Sequence, residues 1–300
     1  MSVVIPAYQR EAVLIDTINY LLDLQPAPAE ILVVDQTTDH EAGTQRGLAE
    51  LESARSIRRV RLARPSITHA MNIGLEQAIS PIVLFLDDDI IPGGNLIGAH
   101  ARAHETGSNI VGGQVLQPGE EPLAEAQETS EFHFRSSRPR YISELMGGNF
   151  SIKRDLALKL GGFDENFVRV AYRFEAEFAS RALAAGEKIL FEPAASIRHL
   201  KASKGGTRAY GDHLTTIRPS HSVGAYYYFI RSRGVPRRLG GILLRPFRAV
   251  ITRHHLLRPW WILPTLTAEF LGFAWAVFLA LRGPRLITGN GARVGDHEPV

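Results

Sequence analysis

Three consecutive carboxylates, Asp87, Asp88 and Asp89, stand at the end of the stretch P-I-V-L-F-L-D-D-D over residues 81–89. Neighbouring carboxylates repel one another, and a divalent cation that also carries a diphosphate relieves that repulsion. An acidic turn closing a strand is the competing reading of the same residues. Two further acids belong to a predicted helix over 172–185: Glu175 near its first turn, where the helix dipole favours negative charge, and Glu177 two residues later. His199 lies on a predicted strand over 196–200. Taken singly, the glutamates fit a solvated helix start and the histidine a structural role.

The elements around these residues decide what they can face. Residues 82–86 are an unbroken apolar run, as in a strand buried on both faces. Runs at 3–5, 31–34 and 57–62 predict further strands, separated by helical periodicity over 11–24, 41–55 and 69–78. Strand, helix, strand implies right-handed parallel units. In such sheets ligands collect outside the carboxyl ends of the strands. The loop 6–10, the acid Asp35 and the Asp87–Asp89 cluster are therefore expected to line one crevice.

Beyond Pro92 the pattern predicts a helix over 95–105, a strand over 109–116 and a long polar stretch over 117–140, the length of a functional lid or an excursion. Short strands over 141–145 and 149–152 flank Gly147-Gly148, which suits either a close approach to a ligand or a tight turn. A helix over 153–160 stops at Gly161-Gly162, and strands over 188–191 and 196–200 come next.

With 300 residues and 45% hydrophobic content, the chain can bury one large α/β domain with an appendage. It has no cysteine, which excludes disulfide frameworks and thiolate metal sites. Met1 runs directly into the first strand, so no leader and a cytoplasmic location are expected. The net charge of +3 hides an asymmetry: residues 213–268 contain nine arginines and no acid before Glu269. A basic block suits nucleic acid or an anionic membrane surface, and the apolar segment at its C-terminal end favours lipid. Residues 260–281 are apolar and long enough to span a bilayer, but Pro264, Glu269 and Gly272 point instead to a helix lying in the interface or a re-entrant hairpin, with a terminal core helix packed on the domain as the competing reading. The expected divisions are 1–212, a catalytic domain, 213–287, a membrane-associating helical region, and 288–300, a flexible tail.

Taken in order, Val3-Val4-Ile5-Pro6-Ala7-Tyr8, Val33-Val34-Asp35, Asp87-Asp88-Asp89, Gly147-Gly148-Asn149-Phe150, Gly161-Gly162-Phe163-Asp164 and Glu175-Ala176-Glu177 resemble the motif series of family 2 glycosyltransferases. The resemblance covers about residues 1–208 and implies the three-layer GT-A fold, with a mixed, mostly parallel central sheet. It implies inverting transfer from a nucleotide-sugar donor to a glycan or lipid-linked acceptor, with no nucleic-acid partner. On that resemblance Asp89 and His199 hold Mg²⁺ or Mn²⁺, and Glu175 is the general base with Glu177 its competitor. Pro6, Ala7, Tyr8, Arg10, Asp35, Asp87, Asp88, Gly148, Asn149 and Arg208 contact the donor. Gln36, Met71 and Phe174 depart from the usual pattern. A nucleotidyltransferase is the alternative enzyme, although 6–10 lacks the glycine-rich loop it would need. A non-catalytic nucleotide-sugar-binding protein is the other alternative.

Overall fold

The computed structural model describes residues 1–231 and 235–287; the expected tail at 288–300 and Arg233 lie outside the described residues. The chain begins β1 (Ser2–Ala7), α1 (Ala12–Leu22), β2 (Glu30–Asp35), α2 (Ala42–Ser53), β3 (Arg58–Arg61), α3 (Ile67–Gln77) and β4 (Ile82–Leu86). Then come β5 (Ile90–Pro92), α4 (Leu96–Glu105), β6 (Ile110–Leu116), β7 (Arg140–Ile142), β8 (Asn149–Lys153), α5 (Arg154–Lys159), α6 (Phe174–Ala184) and β9 (Ile189–His199). The C-terminal helices are α7 (Val223–Arg231), α8 (Val235–Val250), α9 (Arg253–Leu257) and α10 (Ile262–Leu281).

One sheet joins the described strands in the order β3-β2-β1-β4-β8-β6-β9-β5, with β7 also on β9. From β3 to β4 the pairings are parallel; β8 runs antiparallel to both β4 and β6, so the sheet is mixed. Strand alternation gives each face its own core. Val3, Ile5 and Ala7 point to the side that carries Leu14 and Ile18 of α1, Leu48 of α2 and Leu96 of α4. Val4 points to the other side, with Leu75 of α3, Ala157 of α5 and Phe178 of α6. The result is the expected helix–sheet–helix sandwich.

Two differences from the sequence-based expectation bear on the site. The strands expected over 188–191 and 196–200 are one strand, β9, whose pairing with β6 shifts between Gly113 and Gln114. Pro193 cannot donate to a ladder, and the bulge absorbs it without ending the strand. The three-residue β5 was not expected, being shorter than any period can register. Within 117–139 only a single turn of 3-10 helix forms, and Phe132 pins the stretch by stacking edge-on to Phe191 at 5.0 Å.

The C-terminal helices share the sheet's core: Tyr226 and Tyr227 of α7 and Ala276 of α10 are buried in it. Tyr227 Oη donates to Asp164 Oδ2 at 2.7 Å, and the Arg285 amide donates to Asp164 Oδ1 at 2.9 Å, tying the segment after α10 to the Gly-Gly-Phe-Asp turn. Along α10, Thr265, Ala268, Glu269, Gly272, Ala276 and Leu279 face inward at helical spacing, while Leu263, Phe270 and Leu281 are strongly exposed. Pro259–Leu281 is long and apolar enough to cross a membrane, with a third of it buried in the protein. Glu269, which the sequence set against a span, is turned into the protein and paired with Arg245 at 2.9 Å.

Candidate active site

Backbone pairing, more than any loop, assembles the acidic rim. Directly after Asp89 the chain enters β5, which runs antiparallel to β9 with Ile90 opposite His199. The Leu200 amide donates to the Asp89 carbonyl at 2.8 Å and extends that ladder by one step. His199 Nε2 consequently sits 3.2 Å from Asp89 Oδ1 and 3.8 Å from Asp87 Oδ2. One ligand atom from each of the three residues lies within 4.8 Å of the others. Gly148 makes room for the arrangement: a Cβ there would stand 2.2 Å from Asp87 Oδ2.

The charges of the rim are unevenly settled. Burial raises the Asp87 carboxyl above its ordinary range, partly offset by His199. Burial also carries Asp88 up to about 7 against the pull of Arg10. Asp89 goes the other way, because His199, Arg10 and the Ala202 amide together outweigh its burial and keep it ionised. The same pairing lifts the His199 imidazole in spite of its burial. Asp89 Oδ2 accepts from the Ala202 amide at 2.7 Å, whereas the buried Oδ1 accepts no well-formed hydrogen bond. An orphaned carboxylate oxygen, a second carboxylate and an imidazole form a donor set suited to Mg²⁺ or Mn²⁺.

Beside the rim a cleft encloses about 780 Å³, open to solvent. Pro6, Tyr8, Gln36, Arg169, Lys201 and Tyr210 are among its lining residues, together with the three aspartates and His199. Tyr8 and Tyr210 face each other across it with ring centres 6.3 Å apart. The loop after β9 is drawn onto the loop after β1, where the Gly206 amide donates to the Tyr8 carbonyl at 2.7 Å. Gly205 allows this, with φ +77° and no room for a Cβ against the Gln9 carbonyl. Arg10 locks the two together: Nε holds Asp88 Oδ1 at 2.8 Å, Nη2 lies 3.3 Å from Asp89 Oδ2, and Nη1 donates to the carbonyls of Ala202 and Lys204.

The two glutamates of α6 differ sharply. Glu177 is buried and holds Arg181 Nε at 2.8 and 3.0 Å, while the Arg181 fork also donates to the Leu160 and Gly162 carbonyls. Its carboxylate is spent on the fold, in an i,i+4 pair with Arg181. Glu175 is half-buried, and burial, reinforced by Asp87, raises its carboxyl to about 7. The segment leading into it holds three non-glycine residues at positive φ, Arg169 (63°), Ala171 (53°) and Arg173 (76°). Such strain persists only where the surroundings enforce it, and it collects at functional sites.

The family model described as Glycosyl transferase family 2 matches residues 2–161, more than half of the chain. The chain belongs to glycosyl transferase family 2. Comparison with curated proteins finds no match. Among solved structures, this glycosyltransferase is similar to the mannosyltransferase PcManGT from Pyrobaculum calidifontis in complex with GDP-Man and Mn²⁺. The identity is 20% and the TM-score 0.55, over 93% of this chain and 78% of that one. It is also similar to GalNAc-T7 with UDP, GalNAc and Mn²⁺, at 17% identity and TM-score 0.55 over 66% of this chain. This chain covers 43% of that protein, less than half its length. At these identities the two structures speak for the fold.

Ala7, Asp35, Gly148 and Asn149, expected as donor contacts, are not among the residues lining the cleft. Ala7 is wholly buried on the α1 side, and its carbonyl accepts from the Gln36 amide and side chain. Asp35 is buried and engaged by His40 at 3.0 Å and the Thr37 amide at 2.9 Å, so Gln36 takes its place on the cleft wall. Asn149 spends its amide inside the sheet, donating to the Gln114 and Ala195 carbonyls and accepting from His100. Gly148 acts through Asp87, and Asp87 joins Asp89 and His199 as a candidate ion ligand. Arg208 does line the cleft. Arg169, Lys201 and Tyr210 were missed; Arg169 lies five residues past Asp164, Lys201 two past His199 and Tyr210 two past Arg208, and that proximity was the available signal.

Proposed function

We propose that this glycosyltransferase moves a sugar, with inversion, from a nucleotide-diphosphate donor in the cleft to a hydroxyl of a glycan or lipid-linked acceptor. The observation carrying this reading is the trio Asp87, Asp89 and His199 beside a single half-buried carboxylate, Glu175, raised to about 7. Asp87, Asp89 and His199 would hold Mg²⁺ or Mn²⁺, whose charge would offset that accumulating on the departing nucleoside diphosphate. Arg169, Lys201 and Arg208 add positive charge to the same wall. Tyr8 and Tyr210 offer aromatic surface for a base. Glu175 takes the proton from the acceptor hydroxyl as its oxygen attacks the anomeric carbon. The bond to the diphosphate breaks with its electron pair leaving on the nucleotide, and a pKa near neutrality suits the base. That both solved relatives were captured with a nucleotide, its sugar and Mn²⁺ supports the same assignment.

We also propose that the enzyme works at the cytoplasmic side of an anionic membrane. Trp260, Leu263 and Phe270 join Phe247, Ile251 and Leu256 in exposed apolar surface beside the arginine block. The chemistry is tested by melting the protein with a panel of nucleotide sugars, in Mn²⁺ and in chelator. One donor at a hundredfold over its Kd should add about 2.7 kcal/mol in Mn²⁺ alone. A panel that gives no metal-dependent stabilisation refutes the reading. Flotation with anionic vesicles over a salt series tests the membrane assignment, which fails if neutral vesicles carry the protein equally well.

A further inference from the structure

A second cavity of about 1370 Å³, open to solvent, lies among Val170, Tyr172 and Arg173, the segment before α7, α8 and α10. It abuts the donor cleft. Arg169 lines the cleft and Val170 the cavity; Tyr210 lines the cleft and His213 the cavity. Glu175 lies two residues beyond Arg173. Arg173, Arg218, Arg245 and Arg248 all line the cavity, with Glu269 the one carboxylate among the described lining residues. Arg245 is answered by Glu269 at 2.9 Å, and Arg173 meets Glu144 only at 3.6 Å, near the surface. Among the described residues, Arg218 and Arg248 have no ion-pair partner. Four guanidinium groups therefore line an open volume next to the donor cleft, and two of them, Arg218 and Arg248, are left without a carboxylate among the described residues. Its other wall is apolar, with Phe229, Leu214 and Ala249, and α8 carries Leu244 and Phe247 outward next to Arg245 and Arg248.

We propose that this cavity is the acceptor site and that the acceptor carries a phosphate or diphosphate beside the hydroxyl that is glycosylated. The inference rests on the glycosyltransferase reading and adds the acceptor's chemistry to it. Guanidinium forks match phosphate oxygens two at a time, and two unpaired guanidiniums beside two paired ones suit a multiply charged group better than a lone carboxylate. An alkyl chain on such a phosphate would leave along the apolar wall toward the exposed face of α8 and α10.

The test uses the full chain carrying Asp89→Asn, which removes an ion ligand from the donor cleft, titrated in chelator with inorganic pyrophosphate by calorimetry. His199→Ala serves if that variant does not fold. Binding is expected, and adding Arg218→Ala with Arg248→Ala should weaken it roughly a hundredfold. Equal affinity with and without the two arginines, or no binding in either case, overturns the proposal. Vesicles of phosphatidylcholine doped with farnesyl phosphate, against soluble glucose 1-phosphate, identify the source. Arginine-dependent binding to either one supports the phosphate site. Binding that tracks only total vesicle charge, matched with phosphatidylglycerol, overturns it. Metal-dependent donor stabilisation, measured separately on the unaltered chain, shows whether the underlying glycosyltransferase reading has failed instead.

Discussion

Replacing Glu175 by Gln separates a catalytic carboxylate from a structural one, because the two roles move activity and stability in opposite directions. Burial, reinforced by Asp87, places the Glu175 pKa at about 7. A base must be ionised, so from pH 8 to pH 6 the active fraction falls from about nine-tenths to about one-tenth. At saturating Mn²⁺ and donor, kcat/KM should fall about tenfold over that interval, and the Gln variant should lose roughly a hundredfold or more and show no such limb. Stability runs the other way. The folded chain keeps this proton at pH values where the unfolded chain, with an ordinary carboxyl, has released it, so ionising Glu175 destabilises the fold progressively from about pH 4.5 to about pH 7. Glutamine carries no such cost. The variant should melt at or above the unaltered protein at pH 8, the difference closing below pH 4.5. Nucleoside diphosphate release by a coupled assay and thermal unfolding across pH 4–8 give both readouts. Turnover within about threefold of the parent, or a melting point that drops at every pH, would refute the assignment.

Glu177→Gln should show the converse: breaking its buried pair with Arg181 costs about 3 kcal/mol in urea unfolding, with the pH limb of turnover preserved. Arg10→Ala removes the partner of a buried Asp88 and frees the loop after β9, so stability should fall by about 3 kcal/mol and limited proteolysis should cut first within 201–208. Asn149→Ala leaves the Gln114 and Ala195 carbonyls without their side-chain donor inside the sheet; a loss of about 3 kcal/mol by urea unfolding, with the donor Kd unchanged in the surviving folded protein, checks its structural role.

Much of the first half was legible because its signals are local. The apolar runs of β1, β2 and β4 are buried as expected, and the acids at their ends lie at one edge of the sheet. What escaped depends on partners distant in sequence. Glu175 and Glu177 look alike two residues apart, and only the rotamer of Arg181 and the carbonyls of Leu160 and Gly162 tell them apart. Asp35 is a plausible donor ligand until His40 and Arg59 close around it. Glu269 looks like an obstacle to a membrane span because the sequence does not say which way it turns, and Arg245 turns it inward. The second cavity draws its arginines from the turn into α6, from α8 and from the chain before α7, and no window of sequence brings those together.

The pairing of β5 with β9 has an evolutionary consequence. Asp89 and His199 meet because Ile90 and His199 are opposite each other in a ladder only three residues long. Adding or deleting one residue in 197–199 would turn the imidazole to the opposite side of the sheet, undoing the cage in a single step. The loop that begins at Lys201 is held by separate hydrogen bonds at Ala202, Lys204 and Gly206 rather than by a pleat, so a change of length beyond Gly206 leaves the facing of the imidazole unaltered. Relatives with new specificities are therefore expected to vary in length after this ladder while holding the count within it constant.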